Sequence, residues 1–365
     1  MRAVVFTSPD QPVEVLEVDI APPGLGEVKV KIAGAGVCHS DLHLQLGNWP
    51  HPAPLVMGHE GSGVVVEVGA GVTNLAEGDH VVISWVAPCG KCRHCLAGRE
   101  VRCELAANVV LPGGVLFDGT SRLSRNGAAV HHYLGTSSFA EYAIVPASGA
   151  IKVRNDAPLD VVALVGCAVA TGVGAVKHTA KVEAGATVVV IGCGGVGLSV
   201  VQGARIAGAS RIIAVDLRRE KAEVAVALGA TDIVDASAVD ATEAVRDLVP
   251  DGIDYAFDAI GHTTTTEQAI EMLGLGGAAV IVGLPATGAR ASFEPLALAE
   301  ADKRILGCNY GSMRPAIDIP MMVDQYMAGE LMLDEMVSDR RGLEDAARSL
   351  DELRTGAPLR TLLIP

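Results

Sequence analysis

The stretch TVVVIGCGGVGLSVVQGARIAGASRIIAVD, residues 187–216, decides the reading of the fold. Its first five residues form a β-branched run, as expected of a buried parallel strand. The run breaks at Gly192-Cys193-Gly194-Gly195-Val196-Gly197 and continues with a helical period. In a G-x-G-x-x-G turn of this kind, Gly192 makes the tight turn and Gly194 lets a pyrophosphate approach the backbone. Gly197 lets the helix pack close to the strand. The helix start, with Gly195 and Val196, presents free N–H groups and a positive dipole end to phosphates. Asp216 closes the next strand 19 residues after Gly197, where an acid would meet the adenosine ribose hydroxyls. Its charge repels a 2′-phosphate and favours NAD over NADP. Lys221 adds a candidate ribose contact. Arg218 and Arg219 weaken the preference slightly and read equally well as a solvated helix face.

Outward from this stretch the same rhythm continues. RIIAVD (211–216), DYAFDAI (254–260) and AAVIVGL (278–284) alternate with helical segments such as RREKAEVAVALGA (218–230). This is the βαβ alternation of a doubly wound parallel sheet. Residues 1–85 differ. EVKVKIAGAGV (27–37) and GSGVVVEVGAGVTNLAEGDHVVIS (61–84) read as short antiparallel strands with Gly and Asp turns. Residues 105–135 read as a polar, Gly-containing excursion, after which FAEYAIV (139–145) resumes the strand pattern. Beyond about residue 309 two helical segments and a final strand, LRTLLIP (359–365), follow.

The chain has 365 residues, enough for two domains without staples. It is 50% hydrophobic but only 3% aromatic, so Val, Ala, Leu and Ile must fill the core. A net charge of −15 with no Lys/Arg run argues against a nucleic-acid partner. The uncharged stretch 184–204 is long enough to span a bilayer, but its six glycines follow a strand–loop–helix pattern, so no membrane partner is expected. MRAVVFTSPDQ is too short an apolar run for a secretory signal, and the expected location is cytoplasmic.

In a chain of this kind eight cysteines suggest metal or catalysis before disulfides. Cys89, Cys92, Cys95 and Cys103 are spaced C-x2-C-x2-C-x7-C. Four thiolates this close suit one closed tetrahedral zinc centre with a structural role. An iron–sulfur cluster is the rival, although its usual C-x3-C-P ending is absent. A second set is dispersed: Cys38, His39, Ser40, Asp41 and His43 in GVCHSDLH, His59 and Glu60 in MGHEGSG, Cys167 and Thr171 in VGCAVATG. Cys38, His59 and Cys167 would make a Cys2His site with an open fourth position. On spacing alone each also reads as an ordinary buried residue. Cys193 and Cys308 receive no role.

Taken jointly, GVCHSD, GHEGSGVV, CGKCRHC, DGTSR, GTSSFAEY, GCGGVG, AVD and LRTLLIP resemble the zinc-dependent medium-chain alcohol dehydrogenases, in order and spacing, over essentially the whole chain. The segment 109–139 is similar to the dimeric, liver-type branch. The resemblance implies a discontinuous GroES-like, β-rich catalytic domain (1–168 and 310–365) around a Rossmann domain (169–309). It implies catalytic zinc on Cys38, His59 and Cys167, structural zinc on the four clustered cysteines, and NAD as cofactor. It places Asp41 and Glu60 behind the metal, and Ser40 and His43 in a proton relay. It assigns His39 and Arg360 to the pyrophosphate and Thr171 to the nicotinamide region. His39 stands where many relatives carry arginine, which would loosen the cofactor.

The implied chemistry is reversible oxidation of an alcohol, with zinc lowering the alcohol pKa. The proton leaves through Ser40 and His43, and hydride passes to the nicotinamide. Trp49, Trp85, Phe139 and Leu284 fall at positions that would line the substrate pocket, although core packing is an equal reading for them. An apolar pocket would favour hydrophobic primary alcohols. The related glutathione-dependent formaldehyde dehydrogenases typically carry acids where Gly47 and Trp49 stand here, and arginine where Ala107 stands. That disfavours S-hydroxymethylglutathione as the substrate. Two rival readings share these motifs: a dehydrogenase that never releases NAD, and an NAD-binding protein without turnover.

Overall fold

The computed structural model describes residues 1–9, 11–356 and 359–365. The chain divides into two compact units, Met1–Cys167 with Met313–Pro365, and Ala168–Ser312.

The first unit is built on the ten-residue strand Glu27–Gly36. Its alternating buried positions Val28, Val30 and Ile32 feed a core that includes Met57, Phe139 and Leu363. Strands Gly61–Val68 and Tyr142–Pro146 pair antiparallel with it. So does Arg360–Leu363, with Leu362 opposite Gly36 and Leu363 opposite Ala35. This pairing is why the C-terminal segment returns to the unit that the N-terminus begins. A short helix, α1 (His39–Gln45), follows the central strand directly.

The polar excursion at 105–135 is more ordered than its composition suggests. Ala106–Gly113 is helical, first as a π-turn and then as an α-turn. Leu123–Arg125 and Ala128–His132 form a hairpin. Leu123 and Val130 turn inward from the hairpin and pack with Val5, Val18 and Val56 in a satellite core. Two apolar positions on three- and five-residue strands are too few to register as alternation.

The second unit holds a six-stranded sheet: β1 (Thr187–Ile191), β2 (Arg211–Asp216), β3 (Asp232–Asp235), β4 (Ile253–Asp258), β5 (Leu273–Ile281) and β6 (Arg304–Gly307). The strands lie in the order β3-β2-β1-β4-β5-β6, every pair parallel. That order reverses direction between β1 and β4, and ligands of doubly wound sheets bind at such a switch point. The helix after β1, α2 (Gly195–Ile206), begins there with Gly194 as its N-cap. Gly192 has φ +97°, open to glycine at little cost. A Cβ at Gly197 would collide with the Gly192 carbonyl, so the helix approaches the loop only without a side chain. Among the described residues no single helix is long and apolar enough to cross a membrane.

Candidate active site

Three segments of the first unit converge. Cys38 is the N-cap of α1. His59 lies two residues before strand Gly61–Val68. Cys167 ends the turn Ala163–Gly166. All three are buried, and their ligand atoms lie within 4.8 Å of one another.

Asp41, fully buried at the third position of α1, fixes two of them. One of its oxygens accepts the Cys38 N–H at 3.0 Å, and the other lies 3.3 Å from His59 Nδ1. Among the described residues, His59 Nε2 is buried with no hydrogen-bond partner. A buried polar atom in that state is costly unless something fills the gap. A metal ion does so, with the second ring nitrogen held by a carboxylate in the usual way. Burial weighs against charge on this ring, but Asp41 and then Cys38 outweigh it and raise its pKa to about 10. The Cys38 thiol is held well below its ordinary value by Cys167 and His59, against burial. Two sulfurs and an imidazole in this field suit zinc.

The stretch Gly135–Phe139 explains how His59 is held. Thr136 Oγ1 and the Ser138 N–H donate to the Gly58 carbonyl at 2.9 and 3.0 Å. Ser137 Oγ donates to the Val56 carbonyl at 2.9 Å, and the Phe139 N–H to that of Met57. Gly58 has φ +88° and lies against the Phe139 ring, so only glycine fits between strand and histidine.

Behind the site, Glu60 and Arg360 are an ion pair, 0% and 3% exposed. Arg360 was expected at the pyrophosphate. Here its guanidinium pairs with the buried carboxylate of Glu60. Strand 360–363 brings it across Gly36, where a Cβ would strike both side chains.

The proposed relay residues lie on α1. Ser40 Oγ is 3.7 Å from Cys38 Sγ. His43 is stacked on Trp49, ring centroids 4.6 Å apart at 21°. His39 is exposed at the first position of the helix. Of the expected pocket residues, Trp85 is half-buried and Leu284 is 49% exposed in the second unit. Phe139 is fully buried within the core of the first unit.

Two contributors were not legible in the sequence. Tyr133 is buried, donates its OH to the Ser40 carbonyl at 2.8 Å, and sets its ring edge-on to His59 at 5.6 Å. Asn48 Nδ2 lies 3.0 Å from His43 Nδ1. No pattern in the sequence around Asn48 marks it as a partner of the histidine.

The four clustered cysteines also meet, their sulfurs within 4.8 Å of one another. Cys89 and Cys95 sulfurs are 4.0 Å apart, close to the ~3.8 Å edge of a zinc–thiolate tetrahedron. The Cys89 N–H donates to Cys103 Sγ and the Cys95 N–H to Cys92 Sγ. Such bonds, with a further one involving the Glu104 backbone, lower the Cys92 pKa to about 6, whereas burial raises those of Cys95 and Cys103, so the donor set and its spacing carry the zinc assignment.

In the second unit, Asp216 accepts the N–H groups of Cys193 and Arg218 at 2.7 and 2.9 Å. The carboxylate is thereby fixed at the end of β2, beside the glycine loop. Lys221 is 8% exposed, its pKa lowered by burial against the pull of Asp216. Thr171 is buried in helix Ala168–Gly174. Cys193, within the glycine loop, is fully buried, and Cys308 accepts a bond from the Thr179 hydroxyl at 3.3 Å.

Comparison with known proteins agrees with this arrangement. Residues 24–155 match the family model of the alcohol dehydrogenase GroES-like domain, and residues 195–326 that of the zinc-binding dehydrogenases. The chain is 40% identical, over 99% of both chains, to S-(hydroxymethyl)glutathione dehydrogenase of Synechocystis sp.. Benzyl alcohol dehydrogenase of Acinetobacter calcoaceticus superposes with TM-score 0.94 at 33% identity, covering 100% of this chain and 98% of that one. An alcohol dehydrogenase zinc-binding domain protein of Burkholderia ambifaria gives TM-score 0.95 at 35% identity, with the same coverage. The chain belongs to the zinc-dependent medium-chain alcohol dehydrogenases. It is an oxidoreductase with zinc and NAD as cofactors.

Proposed function

We propose that this dehydrogenase oxidises hydrophobic primary alcohols, aromatic or medium-chain aliphatic, to aldehydes, and runs in reverse on the aldehydes. The observation that carries the alcohol chemistry is the buried Cys38–His59–Cys167 triangle, with one imidazole nitrogen unpartnered and the other held by Asp41. Three protein ligands leave a coordination position for substrate, unlike the closed set of four cysteines. Zinc held there supplies Lewis acidity toward an alcohol oxygen, and bound NAD accepts the hydride. The chain's own part is to hold the ligands in register, to keep the site dry, and to pass the alcohol proton outward. Ser40, beside Cys38, receives that proton first, and His43 delivers it to solvent. Asp216 favours NAD over NADP by its charge.

The substrate class rests on side-chain chemistry. Gly47, Trp49 and Ala107 offer no charge to a glutathione carboxylate or ammonium. The likeness to a benzyl alcohol dehydrogenase supports the same reading. The relatives named S-(hydroxymethyl)glutathione dehydrogenase favour the second reading, oxidation of that thiol adduct. Steady-state assays with NAD decide between them. We expect kcat/KM for benzyl alcohol to exceed that for S-hydroxymethylglutathione by at least about tenfold, ~1.4 kcal/mol of transition-state stabilisation. The opposite ranking overturns the proposal. None of the eight cysteines is in a disulfide, which suits a reducing compartment, and we propose the cytoplasm. A homodimer is the proposed assembly.

A further inference from the structure

His43 has two ring nitrogens, and the structure treats them differently. Nδ1 faces the Asn48 side-chain amide at 3.0 Å. The Asn48 N–H donates to the His43 carbonyl at 2.9 Å, so the loop that carries the amide is tied to the residue it contacts. Gly47, at φ +70°, turns the chain back at the end of α1 to make this possible. Trp49, the next residue, stacks on the imidazole and prevents it from tilting away. Nε2 is left as the nitrogen that Asn48 does not hold.

We propose that the Asn48 amide is a rotor that decides whether His43 can take up a proton at Nε2. With Nδ2 toward the ring, as here, the amide donates to the Nδ1 lone pair. The neutral ring then carries its proton on Nε2, and neither nitrogen is free to accept another. With the amide turned over, Oδ1 accepts from Nδ1–H and the Nε2 lone pair is exposed. That lone pair takes the incoming proton to give the imidazolium, which keeps the same bond to Oδ1. Loss of the Nε2 proton to solvent restores the neutral ring. Asn48 is thus a positioning residue that acts through His43, and the inference rests on His43 being the proton exit.

Among the described residues, the other groups around the ring are few. Burial, and then the His39 imidazole, hold the His43 pKa below its ordinary value, while the Cys38 thiol acts in the opposite direction. Helix Ala346–Arg354 packs on α1, but its Arg348 and Glu352 are paired with each other, and Asp351 and Arg354 are exposed. The amide is therefore the group best placed to bias one nitrogen against the other.

The test uses protein with 15N-labelled histidine, free of dinucleotide, and NMR of the imidazole nitrogens. The His43 resonances are assigned by their loss in His43→Ala. We expect the neutral ring of the unsubstituted protein to be protonated at Nε2. In Asn48→Asp the carboxylate only accepts, so the neutral ring should be protonated at Nδ1 and its pKa should rise by about one unit. Asn48→Ala should relax to the tautomer mixture of an undirected imidazole, in which Nε2–H predominates but Nδ1–H is also populated. The same tautomer in all three proteins overturns the rotor. Kinetics separate this result from the proton-exit reading. The acid limb of kcat/KM for alcohol oxidation should move up by about one pH unit in Asn48→Asp and vanish in His43→Ala. A limb that survives His43→Ala removes His43 as the exit, whereas an unchanged tautomer in Asn48→Asp removes the amide switch.

Discussion

Asp41 couples two ligands through one carboxylate, so disturbing either end disturbs the metal. Cys38→Ser removes a thiolate while giving α1 a serine hydroxyl, a favoured N-cap group. We expect metal analysis to fall from two zinc ions per chain to one. Alcohol oxidation should drop by more than about a thousandfold, since Lewis-acid stabilisation is worth several kcal/mol. Circular dichroism should show the fold intact. Asp216→Gly acts on the other unit: with the carboxylate gone, the preference for NAD over NADP should fall by about tenfold or more in kcat/KM, ~1.4 kcal/mol. A third residue controls acid stability. His132 is fully buried, its Nε2 accepts the Arg122 N–H at 3.3 Å, and burial lowers its pKa to about 3. The unfolded chain binds the His132 proton below about pH 6.5, whereas the folded chain resists it until about pH 3. Stability from this group is therefore complete above pH 6.5 and declines as pH falls toward 3. His132→Gln, which does not titrate, should flatten the decline in urea-unfolding stability between pH 6 and 4 by up to about 1.4 kcal/mol per pH unit.

Elements explain what the sequence made legible. The parallel sheet was readable because its signal is local: strand, glycine turn and helix are contiguous in 187–206, and Gly197 meets Gly192 only five residues away. The cysteine lobe was readable for the same reason, with four ligands inside fifteen residues. The open metal site needed the family resemblance, since Cys38, His59 and Cys167 meet only through the strand pairings of the first unit. Tyr133 was illegible because its partner is a backbone carbonyl 93 residues distant, and no side-chain pattern encodes a carbonyl. The 123–132 hairpin was hidden by its brevity. The glycine loop yields an element-scale prediction. Gly197→Ala places a methyl group against the Gly192 carbonyl, which must move or push α2 off β1. We expect NAD affinity to fall at least tenfold by titration calorimetry while both zinc ions remain, because neither metal cluster draws a ligand from this unit.

At the scale of the whole molecule, the acidic surface and the sheet edge pull in different directions. A net charge of −15 makes copies repel one another at long range. Yet β6 lies at the edge of the parallel sheet, paired only with β5. An edge strand offers unpaired N–H and C=O groups to another chain, and proteins usually cover or charge such an edge. Here Ile305 on the strand is 37% exposed, and Phe293 and Leu296 shortly before it are 48% and 61% exposed. Arg304 is the only charged residue on the strand. Two copies related by a two-fold axis would bring identical edges together antiparallel and bury these side chains, as an isologous interface requires. Light scattering should therefore give twice the 37.5 kDa chain mass. Ile305→Asp puts a carboxylate on the shared edge opposite its own copy, where like charges repel, and should shift the protein to monomers. Retention of the doubled mass in that variant would place the interface elsewhere, since the substitution changes nothing in the buried core of the sheet.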